Sequence, residues 1–214
     1  FRPNGPYTTS FINLEGECQG ELPQYVATFS NLTYSHINAT DPFIGQSNYP
    51  FTIVMWIKPK YLPIMNAGNQ VTLLTFGVAN IGTGAFAFTN GSQIGLVVLR
   101  CTSADTGSSA LINSAIFWNN WHFVAVSVNY PNYYFYIDNK NSTVTNTNSY
   151  SAANPLGIGY RQWCNIGSGT NNLDPSFSGE MANVQIYNTS LSANEIQALY
   201  LEGIGGAPID LQHL

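Results

Sequence analysis

Charged residues are scarce in this chain of 214 residues. Asp, Glu, Lys and Arg make up 8% of it, against roughly 25% in ordinary soluble domains. Asn, Ser, Thr and Gln supply the missing polarity and form about a third of the chain. Such a surface stays hydrated without ionised groups, so we expect a solubility that changes little with pH or salt. This composition indicates an extracellular setting, at the cell surface.

Basic residues and long apolar runs are missing as well. The six Lys and Arg residues are scattered and the formal net charge is −5, whereas a nucleic-acid-binding protein needs a concentrated basic face. No stretch approaches the roughly 18 consecutive apolar residues that predict a membrane helix. The sequence therefore argues against a nucleic-acid partner and against a membrane span in this chain.

Cysteine is rare and widely spaced. Cys18, Cys101 and Cys164 form no CxxC pair, which disfavours a zinc site. In an oxidising compartment we expect a disulfide between Cys101 and Cys164, because both lie at the ends of strand-like runs, with Cys18 left over as a thiol. Closing that loop would stabilise the fold by about 4 kcal/mol in the chain-entropy treatment. The alternative is three buried free cysteines.

What the chain does contain is a series of short apolar runs separated by turn residues, the pattern of a sandwich or barrel. Turn signals such as Asn90-Gly91 and Asp138-Asn139 lie between the runs. The run Ile94–Leu99 is apolar nearly throughout, as expected of one central strand covered on both faces. The predicted strands are Tyr25–Phe29, Phe51–Ile57, Val71–Val78, Ala85–Phe88, Ile94–Leu99, Trp121–Val128, Tyr133–Ile137 and Met181–Tyr187. The sequence predicts an all-β fold.

One helix is predicted near the end of the chain. Residues 192–195 read Ser-Ala-Asn-Glu, a capping box in which the Ser192 hydroxyl and the Glu195 carboxylate bond the exposed amides of the first turn. Ile196 and Leu199 follow at helical spacing, and Gly203 is expected to end the helix in a left-handed conformation. This short amphipathic helix would cover one open end of the sandwich.

The apolar pattern is continuous, which predicts one domain over residues 22–203. Residues 1–21 are expected to form an extended N-terminal segment, and residues 204–214 a linker-like tail.

Four blocks in a fixed order point to a family. The first three are residues 51–58 (FTIVMWIK), 121–126 (WHFVAV) and 134–139 (YFYIDN). The fourth, residues 177–196, joins a strand, a turn, the capping box and the helix. Together they resemble the laminin-G-like, concanavalin A-like lectin/glucanase jelly-roll family, including modules of archaeal and bacterial surface proteins. The resemblance implies an antiparallel jelly-roll sandwich of two sheets with one short C-terminal helix, in a non-catalytic module that binds glycans or proteins.

The resemblance also implies a calcium site, since members hold an ion between an early loop and the closing strand with hard oxygen ligands. Asp41, Glu180 and Asn183 are the residues that could form a reduced site here. Many members have an acidic residue where this chain has Ala182-Asn183, a departure that weakens the expectation. The alternative is an ordinary polar loop.

Glucanase activity, found in related folds, needs two carboxylates about 5 to 10 Å apart across the scissile bond. The dense carboxylates here, Glu15 and Glu17 among them, precede the first predicted strand in a glycine-containing segment. A solvated loop is the better interpretation, so we expect no enzyme.

Two kinds of carbohydrate contact are predicted. Asn-X-Ser/Thr triplets, which accept N-linked glycans, occur at Asn31, Asn38, Asn90, Asn141 and Asn188. A sugar-binding surface is expected at Tyr130, Tyr160 and Trp163, where aromatic rings lie beside amide side chains. The alternative is that these rings pack in strands, which favour aromatic residues.

The preferred hypothesis is a non-enzymatic structural or adhesive module of a cell-surface protein or filament, whose partners are copies of itself or other surface proteins. The second hypothesis is a lectin-like module that binds glycans. A glucanase-like hydrolase comes third.

Overall fold

The computed structural model describes residues 26–30, 37–39, 50–61, 70–76, 84–89, 91–100, 106–107, 111–147, 156–158 and 177–205. Two helices lie within these ranges, α1 (Ser114–Phe117) and α2 (Ala193–Gly205). The strands are β1 (Ala27–Phe29), β2 (Ile37–Ala39), β3 (Phe51–Pro59), β4 (Gln70–Phe76), β5 (Gly84–Thr89), β6 (Gln93–Ile94), β7 (Leu96–Arg100), β8 (Thr106–Gly107), β9 (Ile112–Asn113), β10 (His122–Asn129), β11 (Asn132–Ile137), β12 (Lys140–Thr145), β13 (Leu156–Ile158) and β14 (Gly179–Tyr187).

The strands form two six-stranded antiparallel sheets and a small two-stranded one. The first sheet has the order β1-β14-β3-β10-β11-β12 and the second the order β2-β13-β4-β5-β7-β8. Strands distant in the chain are neighbours in space, as where β14 pairs with β3 from Gly179↔Pro59 to Tyr187↔Thr52. The predicted all-β sandwich, with antiparallel pairing, is confirmed.

The main core lies between the two large sheets. Strand β11 has alternating burial, with Tyr133, Phe135 and Ile137 inside and the intervening residues half-buried, because successive side chains point to opposite faces of a strand. The inner residues join one buried cluster with members of the second sheet such as Phe86 and Phe88. Only half of the rings in this strand therefore face the main core.

Helix α2 makes a second, smaller core on the outer face of the first sheet. Val54 and Trp56 of β3 and Phe123 of β10 pack there against Ile196 and Leu199 of the helix. Consequently β3 is buried on both faces from Phe51 to Ile57, and β10 is buried from His122 to Val128. The helix therefore covers a face of the first sheet. The prediction that it covers an open end of the sandwich differs from this position.

Buried hydroxyl groups hold the segment that leads into α2. Thr52 donates a hydrogen bond from Oγ1 to the Thr189 carbonyl at 2.8 Å and accepts one from the Leu191 amide at 2.9 Å. Ser127 donates from Oγ to the Leu191 carbonyl at 2.8 Å. Because buried polar groups must be paired, these bonds fix where the helix begins relative to the sheet.

The start of α2 is the predicted capping box. The Ser192 amide and hydroxyl both donate to Glu195 Oε2, at 2.7 and 2.6 Å. The Ile196 amide bonds the Ser192 carbonyl at 3.0 Å and opens the helical ladder. The two hydrogen bonds, of which the side-chain bond is the larger cause, lower the pKa of the Glu195 carboxyl from its ordinary value of 4.5.

The predicted end of α2 at Gly203 is wrong, since the helix continues to Gly205. Gly203 is buried inside the helix, and a Cβ added there would overlap the Trp56 indole ring. The glycine is therefore needed for close approach of helix and sheet, and not for a left-handed stop.

Two further differences concern short elements. The single strand predicted over Ile94–Leu99 is divided at Gly95, so that β6 pairs with β9 while β7 joins the second sheet. Helix α1 and the polar edge strand β12 lack a clear apolar period and were not predicted. The domain bounds of residues 22 and 203 stay predictions.

Candidate functional site

An aromatic surface lies where β3 leaves the first sheet. Tyr61 follows the end of β3 by two residues, and Ile116 and Trp118 belong to α1 and the turn after it. Tyr61 is 48% exposed and Ile116 is 58% exposed, two of the three large hydrophobic residues that are exposed in the described part of the chain. We call Tyr61, Ile116 and Trp118 the aromatic patch.

Short-range hydrogen bonds shape the turn that carries the patch. Asn113 caps α1 by accepting a hydrogen bond from the Ala115 amide at 2.8 Å, the usual role of Asn at a helix start. Asn119 has a φ of 62°, a left-handed conformation that Asn adopts more readily than most residues. The backbone N–H of Asn119 donates a hydrogen bond to the Pro59 carbonyl at 2.8 Å. This bond holds the turn against the end of β3.

The rings of the patch continue into the core. Tyr61 meets Trp118 edge to face, with ring centroids 5.3 Å apart and planes at 73°. Trp118 in turn contacts Phe88 at 5.8 Å and the fully buried Phe117 at 5.4 Å. Edge-to-face pairs of this kind contribute about 0.5–1.5 kcal/mol beyond their buried area. The exposed rings are therefore held in place before any ligand arrives.

Two asparagines, Asn119 and Asn120, follow Trp118 in the turn. Asn120 donates from Nδ2 to the carbonyls of Ile116 and Trp118, at 3.0 and 3.3 Å, which fixes the orientation of its amide. Asn119 and Asn120 are both exposed. An exposed apolar ring with amide side chains nearby is suited to binding a molecule with an apolar face and hydroxyl groups at its edge.

His122 supports the patch from behind. The ring is 5% exposed and stacks on Phe117 at 5.1 Å. Its Nδ1 lies 2.7 Å from Asp138 Oδ2, and its Nε2 lies 3.2 Å from the Ile116 carbonyl oxygen. Asp138 also accepts from the Phe123 amide at 2.9 Å. Both ring nitrogens lie near oxygen atoms of the protein, so this histidine positions α1 and is a packing residue.

Three of the four described carboxylates also have structural partners. Asp138 bonds His122, Glu195 caps α2, and Glu180 lies 3.7 Å from the Lys58 ammonium group. Glu202 lines a shallow depression under the end of α2 together with Trp56. Glu15 and Glu17, the carboxylates considered for hydrolysis, lie outside the described residues.

Two of the three expected calcium ligands, Glu180 and Asn183, lie within the described residues. Glu180 pairs with Lys58, and Asn183 is exposed at a bulge in β14 with a φ of 48°. Asp41 lies outside the described residues. Within the ranges that the structure describes, no group of three or more His, Cys, Asp and Glu could hold a metal ion. A calcium site stays a prediction of the resemblance.

The aromatic residues predicted from the sequence are not those of the patch. Tyr130 lies in the turn between β10 and β11, half-buried, and its hydroxyl donates to the Thr147 carbonyl. Tyr160 and Trp163 lie outside the described residues. Two of the missed residues, Ile116 and Trp118, stand in the run Ile116-Phe117-Trp118-Asn119-Asn120-Trp121, where rings beside asparagines were the available signal.

Some of the predicted glycosylation sites lie within the described residues, and the others lie outside them, as do the cysteines. Asn141 and Asn188 are exposed, and Asn38 lies in β2. Asn31 and Asn90 lie outside the described residues, as do Cys18, Cys101 and Cys164, so the disulfide stays a prediction. Among the described helices none is long and apolar enough to cross a membrane.

Solved structures share the fold at low sequence identity. The native heptameric SAP-like pentraxin from Limulus polyphemus has a TM-score of 0.58 and 17% identity, over 77% of this chain and 75% of that one. Domain 4 of AbnA, a GH43 extracellular arabinanase from Geobacillus stearothermophilus, was solved with arabinotriose. It has a TM-score of 0.59 and 17% identity, over 92% of this chain and 82% of that one.

A third structure, the binding domain of botulinum neurotoxin serotype G, has a TM-score of 0.60 and 16% identity. The match covers 91% of this chain and 46% of that one. At these identities the likeness shows the fold alone.

Sequence comparison identifies the family. No curated protein matches the chain. The family profile described as concanavalin A-like lectin/glucanases superfamily matches residues 31–197, a span that contains both sheets from β2 onward and the start of α2. Both the profile and the sandwich agree with the resemblance drawn from the sequence blocks. The chain belongs to the concanavalin A-like lectin/glucanases superfamily.

Proposed function

We propose that this chain is a non-catalytic, lectin-like binding module that takes an uncharged oligosaccharide on the aromatic patch. The observation that carries the proposal is Tyr61, which is 48% exposed and yet fixed edge to face against Trp118 at 5.3 Å. Exposed aromatic rings are normally few on a monomeric domain, and a contiguous exposed apolar surface marks an interaction site.

The physical match is between a flat ring and the C–H face of a sugar. Covering the exposed side of Tyr61 removes apolar area from water, at about 25 cal/mol for each Å². The ring is already held by Trp118, so binding does not have to order it. Asn119 and Asn120 then offer amide groups to the sugar hydroxyls.

The chemistry around the patch favours a neutral ligand. Lys60, next to Tyr61, is a single exposed cation, and Lys58 before it is paired with Glu180 at 3.7 Å, so the described patch has no cluster of like charges beside it. Domain 4 of the arabinanase, which has the same fold, was solved with arabinotriose, an uncharged trisaccharide. That relative supports the ligand class proposed here.

A shallow patch of this size predicts weak binding of a single sugar chain. We expect a Kd of about 1 mM, which corresponds to about −4 kcal/mol. Adhesive proteins gain strength from several modules acting together, because linked sites raise the effective concentration. The low charge and the exposed sequons at Asn141 and Asn188 support an extracellular, cell-surface role in adhesion.

Binding can be tested by titrating neutral oligosaccharides, including arabinotriose, into the protein and measuring heat or ligand NMR line broadening. Tyr61→Ala is expected to weaken binding at least tenfold. Leu201→Ala is the matched control, since Leu201 is 53% exposed on α2, away from the patch. Equal affinity in the two variants would contradict the proposal.

The absence of catalysis is part of the same proposal. Supporting it, both nitrogens of His122 and the carboxylates of Asp138, Glu180 and Glu195 have structural partners. The measurement is release of new reducing ends from the bound oligosaccharide. Hydrolysis that is lost on Glu15→Gln or Glu17→Gln would overturn the non-catalytic assignment.

Assembly with copies of itself is a second candidate function. Strand β12 is an edge of the first sheet in the described structure, with a partner on one side only, and unpaired strand edges can pair with another chain. Electron microscopy and light scattering of the purified chain test this candidate. A monomer at all concentrations, with no filaments, would count against it.

A further inference from the structure

The hairpin of β11 and β12 brings a glycosylation sequon opposite two tyrosines. Asn141 pairs with Tyr136 and Thr143 pairs with Tyr134 across the antiparallel register. Tyr133, Phe135 and Ile137 point into the main core, so Tyr134, Tyr136, Asn141 and Thr143 share the outer face.

Residues that pair across β11 and β12 have side chains close to each other. Side chains directly opposite each other on antiparallel strands have Cβ atoms about 4.5–5.5 Å apart, and diagonal neighbours about 7–8 Å apart. Asn141 is therefore adjacent to Tyr136 and one diagonal step from Tyr134. Asn141 and Thr143 are both exposed, so the two side chains that define the sequon stand out to solvent on this face.

Packing against neighbouring residues holds the side chain of Tyr136 in place. Its ring packs against the cluster under α2 that contains Trp56 and Phe123. Burial, and secondarily the nearby Tyr134, raises the pKa of the Tyr136 hydroxyl above its ordinary value of 10.0. Tyr136 is half-buried, so part of its side chain is accessible to solvent.

We propose that Asn141 carries an N-linked glycan whose first sugar packs on the ring of Tyr136, with Tyr134 beside it. In the modification, Asn141 Nδ2 bonds to the anomeric carbon of an oligosaccharide held on a polyisoprenyl phosphate or diphosphate carrier. The bond from that carbon to the carrier oxygen breaks, the phosphate leaves with the electron pair, and one amide proton is released. The site is independent of the aromatic patch.

Asn188 provides an internal contrast. It is exposed as well, but the hydroxyl of Ser190, the third residue of its sequon, is bound to Ser127 Oγ at 2.9 Å. The preceding carbonyl of Thr189 accepts from Thr52. This sequon is thus tied to the sheet, and a glycan on it has no cross-strand tyrosine in the described register.

The first test is occupancy. The full chain is secreted from a eukaryotic host that adds N-glycans, and the tryptic glycopeptides are measured by mass spectrometry. The peptide containing Asn141 is expected to be glycosylated in most molecules, and Asn141→Gln should remove that mass. An unmodified Asn141 in a chain glycosylated at other sequons would overturn the proposal.

The second test is the contact with Tyr136. We expect the acetamide methyl protons of the first N-acetylglucosamine to be shifted upfield by the ring, and the shift to be lost in Tyr136→Leu, which keeps the apolar packing under α2. Enzymatic removal of the glycan should lower the Tm by about 2–4 °C in the parent chain and by less in Tyr136→Leu.

Asn188→Gln is the control, with no expected effect on either the proton shift or the Tm difference. Should Tyr136→Leu fold poorly, Tyr134→Thr replaces it and is expected to reduce the upfield shift in part. A glycan at Asn141 whose protons show no ring shift in the parent chain would refute the contact.

Discussion

The cluster around Trp56 lies on strand β3 and the patch around Tyr61 lies just beyond the end of that strand, and the two aromatic groups differ in what covers them. Trp56 stacks on Tyr200 of α2 at 6.0 Å and meets Phe123 edge to face at 5.7 Å. It is 6% exposed. Tyr61 has a similar edge-to-face partner in Trp118, but no described element covers it. The comparison teaches that a covering helix makes one cluster structural, while the uncovered cluster is available for binding.

The strongest way to break this comparison is to remove Trp56. Trp56→Ala empties the space between α2 and the first sheet, and we expect the free energy of unfolding to fall by about 3–5 kcal/mol. Chemical denaturation followed by tryptophan and circular-dichroism signals measures it. A loss below 1 kcal/mol would mean that the helix contributes little to the fold.

A gentler test alters the distance between helix and sheet. Gly203→Ala places a Cβ against the Trp56 indole, and overpacking of this kind typically costs about 1–3 kcal/mol. Alanine favours helices over glycine by about 1 kcal/mol, so a net stabilisation would show that α2 can move away freely. Gln197→Ala, at an exposed position of the same helix, is the control and should change stability by less than about 0.5 kcal/mol.

A third prediction concerns the capping box at the start of α2. Ser192→Ala removes the hydroxyl that bonds Glu195 and the first-turn amide, and we expect a loss of about 1 kcal/mol. Thermal unfolding measures the change. Ser192→Asn should retain most of the stability, because Asn is an equally good cap.

Low pH is expected to reduce the stability that the capping box gives to the start of α2. The folded-state pKa of Glu195 is lowered by its bonds to Ser192, so its contribution is full above the unfolded value of about 4.5 and is lost as the pH falls through the folded pKa. The effect is small, since this carboxylate is near the surface. Glu195→Gln should flatten this part of the stability curve below pH 4.5, and an unchanged slope would contradict the assignment.

A much smaller effect on stability than that of Trp56→Ala is expected at the aromatic patch. Tyr61→Ala removes a ring that is half exposed and its edge-to-face contact with Trp118, and we expect the free energy of unfolding to fall by about 0.5–1 kcal/mol. Equilibrium denaturation beside the parent chain measures it. A loss comparable to that of Trp56→Ala would show that the patch is a structural cluster like the one under α2.

Prediction from the sequence worked best for local patterns. The strand at Tyr133–Ile137 and the capping box at Ser192 depend on neighbours a few positions away, and both were predicted correctly. The division of Ile94–Leu99 at Gly95 was missed, because β6 and β7 pair with strands that are far away in the chain. A continuous apolar run carries no sign of that change of partner.

The candidate site was missed for the same reason. Tyr61 and Trp118 are distant in the sequence, and their contact exists only because the Asn119 amide binds the end of β3. Composition indicated that sugar-binding rings were available, but the pairs of rings that meet depend on the turn geometry.

The sequence by itself determined the all-β class, the family and the start of α2, since these follow from period, motif order and capping within short stretches. Only the tertiary structure decided that α2 seals one aromatic cluster and leaves another open, and that Gly203 serves close packing. Whether an aromatic cluster is covered or exposed depends on contacts between distant segments, and a local sequence pattern cannot predict such contacts.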